Sequence, residues 1–114
     1  MTDSAPMLMV VTTVATREEA RGMAHELVRR HLAACVQIHA IESVYEWNGT
    51  VAQDAEWRLM LKTRADVYPA VEAAILELHR YELPAVFAVP VSQASTAYGD
   101  WVMQSAQLPR ANVP

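Results

Sequence analysis

The feature that most constrains this 114-residue chain is a pair of overlong strand patterns joined by Asn48-Gly49. From Cys35 to Trp47 the period is two, which puts Cys35, Gln37, His39, Ile41, Ser43, Tyr45 and Trp47 on one face. Asn48 and Gly49 both tolerate positive φ, and that pair is the strongest short hairpin signal a sequence carries. Val51 to Thr63 then returns as a second strand, with Trp57, Leu59 and Leu61 sharing a face. Each arm holds about a dozen residues where five or six are usual. Such a ribbon runs past any small sheet it belongs to and needs cover. In a chain of this length the expected cover is another subunit.

The rest of the chain supplies that sheet. Met7-Leu8-Met9-Val10-Val11-Thr12-Thr13 predicts a central strand. Thr16 stands three residues before Glu19, a capping-box spacing that opens a helix. Ala20, Met23, Ala24, Leu27, Val28 and Leu32 form its apolar face, and His25 and His31 fall on its wet side. Asp66 and Pro69 mark a second helix start, with Tyr68, Val71, Ala74, Ile75 and Leu78 as its buried stripe. A strand over 85–91 follows, and Pro90 suits an edge or terminal position. Tyr98, Trp101 and Val102 recur at helical spacing and predict a short last helix.

The order β-α-β-β-α-β plus one helix predicts an α+β, ferredoxin-like sandwich. Right-handed crossovers place both main helices on one face of a four-stranded antiparallel sheet. The expected domain spans residues 7–107, between a disordered tail over 1–6 and a loose tail over 108–114. The other sheet face is left bare, with Val36, Ile38, Val44 and Met60 expected on it. Apolar residues left in water on that face again point to oligomerisation.

Composition removes several function classes. The net charge is −4 and the nine basic residues never form a run, so no nucleic-acid footprint is present. No apolar stretch approaches the ~20 residues that span a bilayer. Met1–Pro6 lacks the basic residue and the apolar stretch of a secretory signal, and the single cysteine fits a reducing, cytoplasmic setting. With three glycines there is no phosphate-cradling loop, and no hydrolase or metalloprotease motif occurs. The reading is of a non-enzymatic domain.

The candidate chemistry is sparse. His79-Arg80-Tyr81-Glu82-Leu83-Pro84 is a polar segment wedged between a helix and a strand. A helix C-terminus accepts His79 and Arg80 for structural reasons alone. Imidazole and carboxylate three residues apart can also converge on one cation if the backbone turns, as Pro84 encourages. Cys35 reads either as a small buried hydrophobe or as a soft metal ligand. Lys62 at a strand end can solvate or hold an anion, and Tyr45 and Trp47 can pack in a subunit interface.

Taken together, Leu32-Ala33-Ala34-Cys35-Val36, Tyr45-Glu46-Trp47-Asn48-Gly49, Leu61-Lys62-Thr63 and His79-Arg80-Tyr81-Glu82-Leu83-Pro84 resemble the CutA family of divalent-cation-tolerance proteins. Thr12-Thr13 and Ala97-Tyr98 with Trp101 fit the family's ends, so the likeness runs over residues 10–103. The resemblance implies a homotrimer held by long β-ribbons, with Tyr45, Trp47 and Trp57 at the interface. It also implies copper or another divalent metal in clefts between subunits, with Cys35, His79 and Glu82 as ligands. Lys62, Arg80, Tyr81 and Trp47 would border such a cleft. Three residues depart from the family pattern: Arg80 for a usual proline, Thr12 where some members carry a second cysteine, and Gln37 for a common asparagine. A guanidinium at Arg80 would disfavour a bound cation. A second reading is signalling through a small anion in the clefts, by likeness to trimeric PII proteins, with Arg80 and Lys62 as counter-charges.

Overall fold

The computed structural model describes residues 7–109. Its elements are β1 (Met7–Val14), α1 (Arg17–Arg29), β2 (Cys35–Trp47), β3 (Thr50–Arg64), α2 (Tyr68–Leu78), β4 (Val86–Val91) and α3 (Thr96–Ser105). The sheet is antiparallel throughout, in the order β2-β3-β1-β4. The expected ferredoxin-like fold is therefore present, with β1 central and Pro90 on an edge strand. The expected tail over 1–6 lies outside the described residues, as does the expected tail over 108–114 from residue 110 onward.

β2 and β3 pair without a break from Cys35↔Lys62 to Trp47↔Thr50. β1 joins β3 only as far as Trp57. Beyond that row the ribbon is two-stranded, and it contributes to a longest molecular dimension of 49 Å. Asn48 (φ 53°) and Gly49 (φ 79°) turn it, as their tolerance of the left-handed region requires.

The core lies between the sheet and α1 and α2. Val10, Leu59, Leu61, Leu27, Val71 and Ile75 are fully buried there. Each such side chain contributes about 1.5–3 kcal/mol by leaving water. The cross-strand register puts Val36 with Leu61 and Ile38 with Leu59, both on this helix-facing side. Parity places Val44 on the same side, so of the four residues expected on the bare face only Met60 lies there. The opposite face instead carries Met9, Val11, Phe87 and Val89, and Phe87 is 51% exposed. α3 covers one end of that face, where Val102 packs on Met7, Ala34 and Val91. Thr12 points into the core with its hydroxyl unpartnered.

Thr16 caps α1 by accepting from the Glu19 amide at 3.1 Å, while Glu19 accepts from the Ala15 amide rather than that of Thr16. Val28 is exposed and does not join the apolar face, and Leu32 is buried from beyond the helix end. His31 is not a wet-face helical residue. It takes φ 62° just past the helix, where the His31 and Leu32 amides donate to the carbonyls of Val28 and Leu27 in a Schellman closure. α2 opens after a 3-10 turn over Ala65–Val67, with Pro69 in its first turn. Asp66 pairs with Arg64 at 2.7 Å and caps nothing.

Candidate functional site

His79 leaves α2 in extended backbone, which swings its ring onto β1. Nε2 lies 2.8 Å from the Thr13 carbonyl, and Nδ1 accepts the Tyr81 amide at 3.2 Å. Because Nδ1 accepts, the proton sits on Nε2 and is donated to Thr13. Both ring nitrogens are therefore engaged within the chain. The Tyr81 ring sits beside the imidazole, with centroids 4.8 Å apart. Its hydroxyl donates to Glu56 Oε2 at 2.6 Å, and Ser43 donates to Glu56 Oε1 at 2.6 Å. Glu56 is only 9% exposed, and both its oxygens are satisfied by neutral hydroxyls. Burial first, and then the bond to Glu56, push the Tyr81 phenol well above its ordinary range. Sequence reasoning missed Glu56 and Ser43, although counting back from the Asn48-Gly49 turn puts them near one another on one face.

Beside this cluster, under the two-stranded ribbon, lies a cavity of about 740 Å³. Tyr45, Trp47, Asp54, Glu56, Tyr81 and Glu82 are among its lining residues, and none of the lining residues is basic. The Tyr45 hydroxyl donates to Asp54. Arg80 is not in this cavity. Its side chain is 80% exposed and reaches toward Glu19, 3.8 Å away, where it borders a separate hollow of about 300 Å³ with Glu18 and Leu78. The guanidinium thus falls on the α1 side of the loop, and Glu82 on the ribbon side.

Cys35 stands elsewhere. It is partly buried, with Sγ 3.3 Å from the Tyr98 hydroxyl of α3. That bond, helped by burial, pushes the Tyr98 phenol up to about 12. Lys62 is its cross-strand partner and donates from Nζ to Gln37. Lys62 also pairs with Met9, whereas His79 bonds Thr13, four residues further along β1. At ~3.3 Å per residue and ~4.8 Å per strand, Cys35 and His79 attach to backbone more than ~10 Å apart. Lys62 and Arg80 are separated along β1 in the same sense.

Among the described residues, no three His, Cys, Asp or Glu side chains converge as a metal set. One chain by itself does not fit a divalent ion at Cys35, His79 and Glu82. Of the expected interface residues, Tyr45 and Trp47 share the bare-face parity. Trp57 faces the helices, packs against the core, and carries the Arg17 guanidinium 4.8 Å from its ring centroid.

A β2-β3-β1-β4 sheet with two helices on one side and a long free ribbon defines a ferredoxin-like protein with a projecting hairpin. The chain belongs to the CutA1 divalent ion tolerance protein family, whose profile matches residues 8–105. It is 36% identical over 98 residues to the divalent-cation tolerance protein CutA of Thermus thermophilus, covering 85% of this chain and 95% of that one. It is 37% identical over 105 residues to the chloroplastic protein CutA of Arabidopsis thaliana. That match covers 91% of this chain and 58% of the plant relative, so the chain spans little more than half of the latter. The crystal structure of CutA1 from Oryza sativa superposes with a TM-score of 0.88 at 35% identity, over 91% of this chain and 96% of that one. The matched family and the Thermus thermophilus relative are named for tolerance of divalent ions and not for a reaction. Among the described residues, no helix is long and apolar enough to cross a membrane.

Proposed function

We propose that this chain acts as a non-enzymatic, homotrimeric tolerance protein that holds copper or another divalent ion in the clefts between copies. The observation that carries the reading is the cavity beside Glu82, which is lined by four carboxylates and no basic residue while Arg80 reaches toward Glu19. An acid-lined hollow lowers the energy of a bound cation, and the departure at Arg80 does not oppose it. Cys35 bonds Tyr98 and His79 bonds Thr13 at separate places along the sheet, so a site using both is proposed to draw them from different copies. Thiolate and imidazole together suit copper once His79 gives up one of its two bonds, to Thr13 or to Tyr81, and Glu82 adds an oxygen donor. The bare face with Phe87 and Val89, together with the free ribbon carrying Tyr45 and Trp47, supplies the surface that assembly covers. The proposed compartment is the cytoplasm, where Cys35 stays a thiol.

Copper(II) titration of the purified protein tests this. Saturable binding is expected for the unmodified chain and is lost in His79→Ala. Unchanged stoichiometry and affinity in that variant would overturn the ligand assignment. A native mass spectrum showing a monomer would overturn the location between copies.

A further inference from the structure

The smaller hollow lies on the helix side of the sheet, away from the bare face and the ribbon that assembly covers. It measures about 300 Å³, at the small end of ligand pockets, between the first half of α1 and the end of α2. Val14 and Met23, both nearly fully buried, supply its apolar lining together with Leu78. Its charged lining is Glu18, Glu19 and Arg80. His79 borders it with both ring nitrogens already bonded within the chain.

Gly22 also lines this hollow, in the middle of α1, where glycine is a poor helix former. Nothing in the chain requires it. Its φ is not in the left-handed region, and a Cβ there would face open space. The missing side chain therefore widens the hollow and gains the fold nothing.

The charges are poised but not joined. Glu19 Oε1 accepts the Ala15 amide at 3.3 Å, whereas Oε2 stands 3.8 Å from Arg80 Nε, too far for a hydrogen bond. Among the described residues this is the only ion pair of Arg80, and Glu18 has none. An exposed guanidinium fork can meet a carboxylate at two points. The two glutamates outnumber it by one charge and match a cation. A carboxylate alone would sit beside two like charges, and an amine alone would leave the Arg80 donors unmet. An α-amino acid answers both, because its carboxylate and ammonium leave the same carbon.

We infer that this hollow binds a free α-amino acid with an apolar side chain. Its carboxylate sits on Arg80 and its ammonium on Glu18 and Glu19. Its side chain fills the space over Gly22, against Met23 and Leu78. The site draws on one chain and does not depend on the cation reading above.

A nuclear magnetic resonance titration of the isotope-labelled full chain with L-leucine tests the inference. Saturable shifts are expected at the amides of Gly22, Met23 and Arg80. Isoamylamine and isovalerate, which each lack one charge of leucine, should bind at least roughly tenfold more weakly. Equal or tighter binding of either would overturn the assignment of a zwitterion. Arg80→Gln should weaken leucine by roughly tenfold as well. Gly22→Leu fills the space and should abolish binding, while its better helix propensity holds or raises Tm. Should that variant fold poorly, Gly22→Ala adds one methyl group and should weaken binding with a small rise in Tm. No saturable shift at millimolar leucine would overturn the inference, and so would unchanged affinity in the Gly22 variants.

Discussion

Read along β3 from residue 54 to residue 62, the bare-face positions are Asp54, Glu56, Arg58, Met60 and Lys62. Acids occupy the two-stranded ribbon and bases occupy the four-stranded part, and the sign changes where β1 stops pairing at Trp57. The two regions solve the same problem differently. At the acidic end Glu56 is buried and fully hydrogen-bonded by its own chain, so it is part of the framework. At the basic end Lys62 and Arg58 are held only by neutral neighbours, Gln37 and His39, and keep donors to spare. One end is satisfied and supports a loop, while the other is left with unmet valence. Within one copy, stability should therefore reside in the first more than in the second.

The largest test of that contrast is on folding. Glu56→Ala removes the acceptor of both Ser43 and Tyr81, which leaves two partly buried hydroxyls without partners. A loss of about 3 kcal/mol is expected, since each orphaned donor costs on the order of 1–3 kcal/mol. Lys62→Ala at the other end removes an exposed hydrogen bond and should cost no more than about 0.5 kcal/mol. Urea unfolding of the two variants measures both. Equal losses would break the distinction between a framework end and a loosely held end.

A smaller effect separates the ends by pH. Tyr81 and Tyr98 are both raised, but the leading causes differ: burial for Tyr81, and the hydrogen bond to Cys35 for Tyr98. A phenol whose folded pKa lies above its unfolded value of ~10 favours the folded state while it stays protonated. Its contribution is complete below pH ~10 and is lost as pH rises through the raised value. In an ultraviolet titration Tyr98 should ionise near 12, and Tyr81 should be the most resistant tyrosine. Cys35→Ala should bring Tyr98 down appreciably. Glu56→Gln should lower Tyr81 less completely, because its burial remains. Equal responses would mean that the two ends are held by the same force.

Much of this architecture was legible in the chain, for identifiable reasons. Period-two spacing and Asn48-Gly49 announced the ribbon, and the Thr16–Glu19 spacing announced α1, because those signals are local. The face assignment of Val36, Ile38 and Val44 was missed because which side of a strand meets the helices is a tertiary fact. The residues around His79 were visible as a polar segment, yet its partners were not. Glu56 and Ser43 are 23 and 36 residues away in the chain, and only the register brings them to Tyr81. Arg80 could be named but not oriented, since its direction depends on how α2 hands over to the loop. The bond of Arg58 to His39 gave no motif at all, because it arises from cross-strand pairing.

The smallest expected effect concerns how the basic end is anchored. His31 holds φ 62° at the close of α1, a region where a side chain costs roughly 1–2 kcal/mol. Its carbonyl accepts the Gln107 amide at 2.8 Å, which ties the end of α1 to the segment after α3, the helix that carries Tyr98 to Cys35. His31→Gly keeps that carbonyl and removes the clash of Cβ. Glycine also adds about 0.5–1 kcal/mol of backbone entropy to the unfolded chain, which offsets much of the gain. A net stabilisation of about 0.5 kcal/mol is expected, seen as a small rise in Tm. His31→Val should instead lower Tm by more than glycine raises it, because a β-branched residue tolerates the left-handed region worst. If neither substitution moves Tm, the closure of α1 is held by packing of Leu32 and not by the geometry of His31. The basic end would then be as rigidly framed as the acidic one.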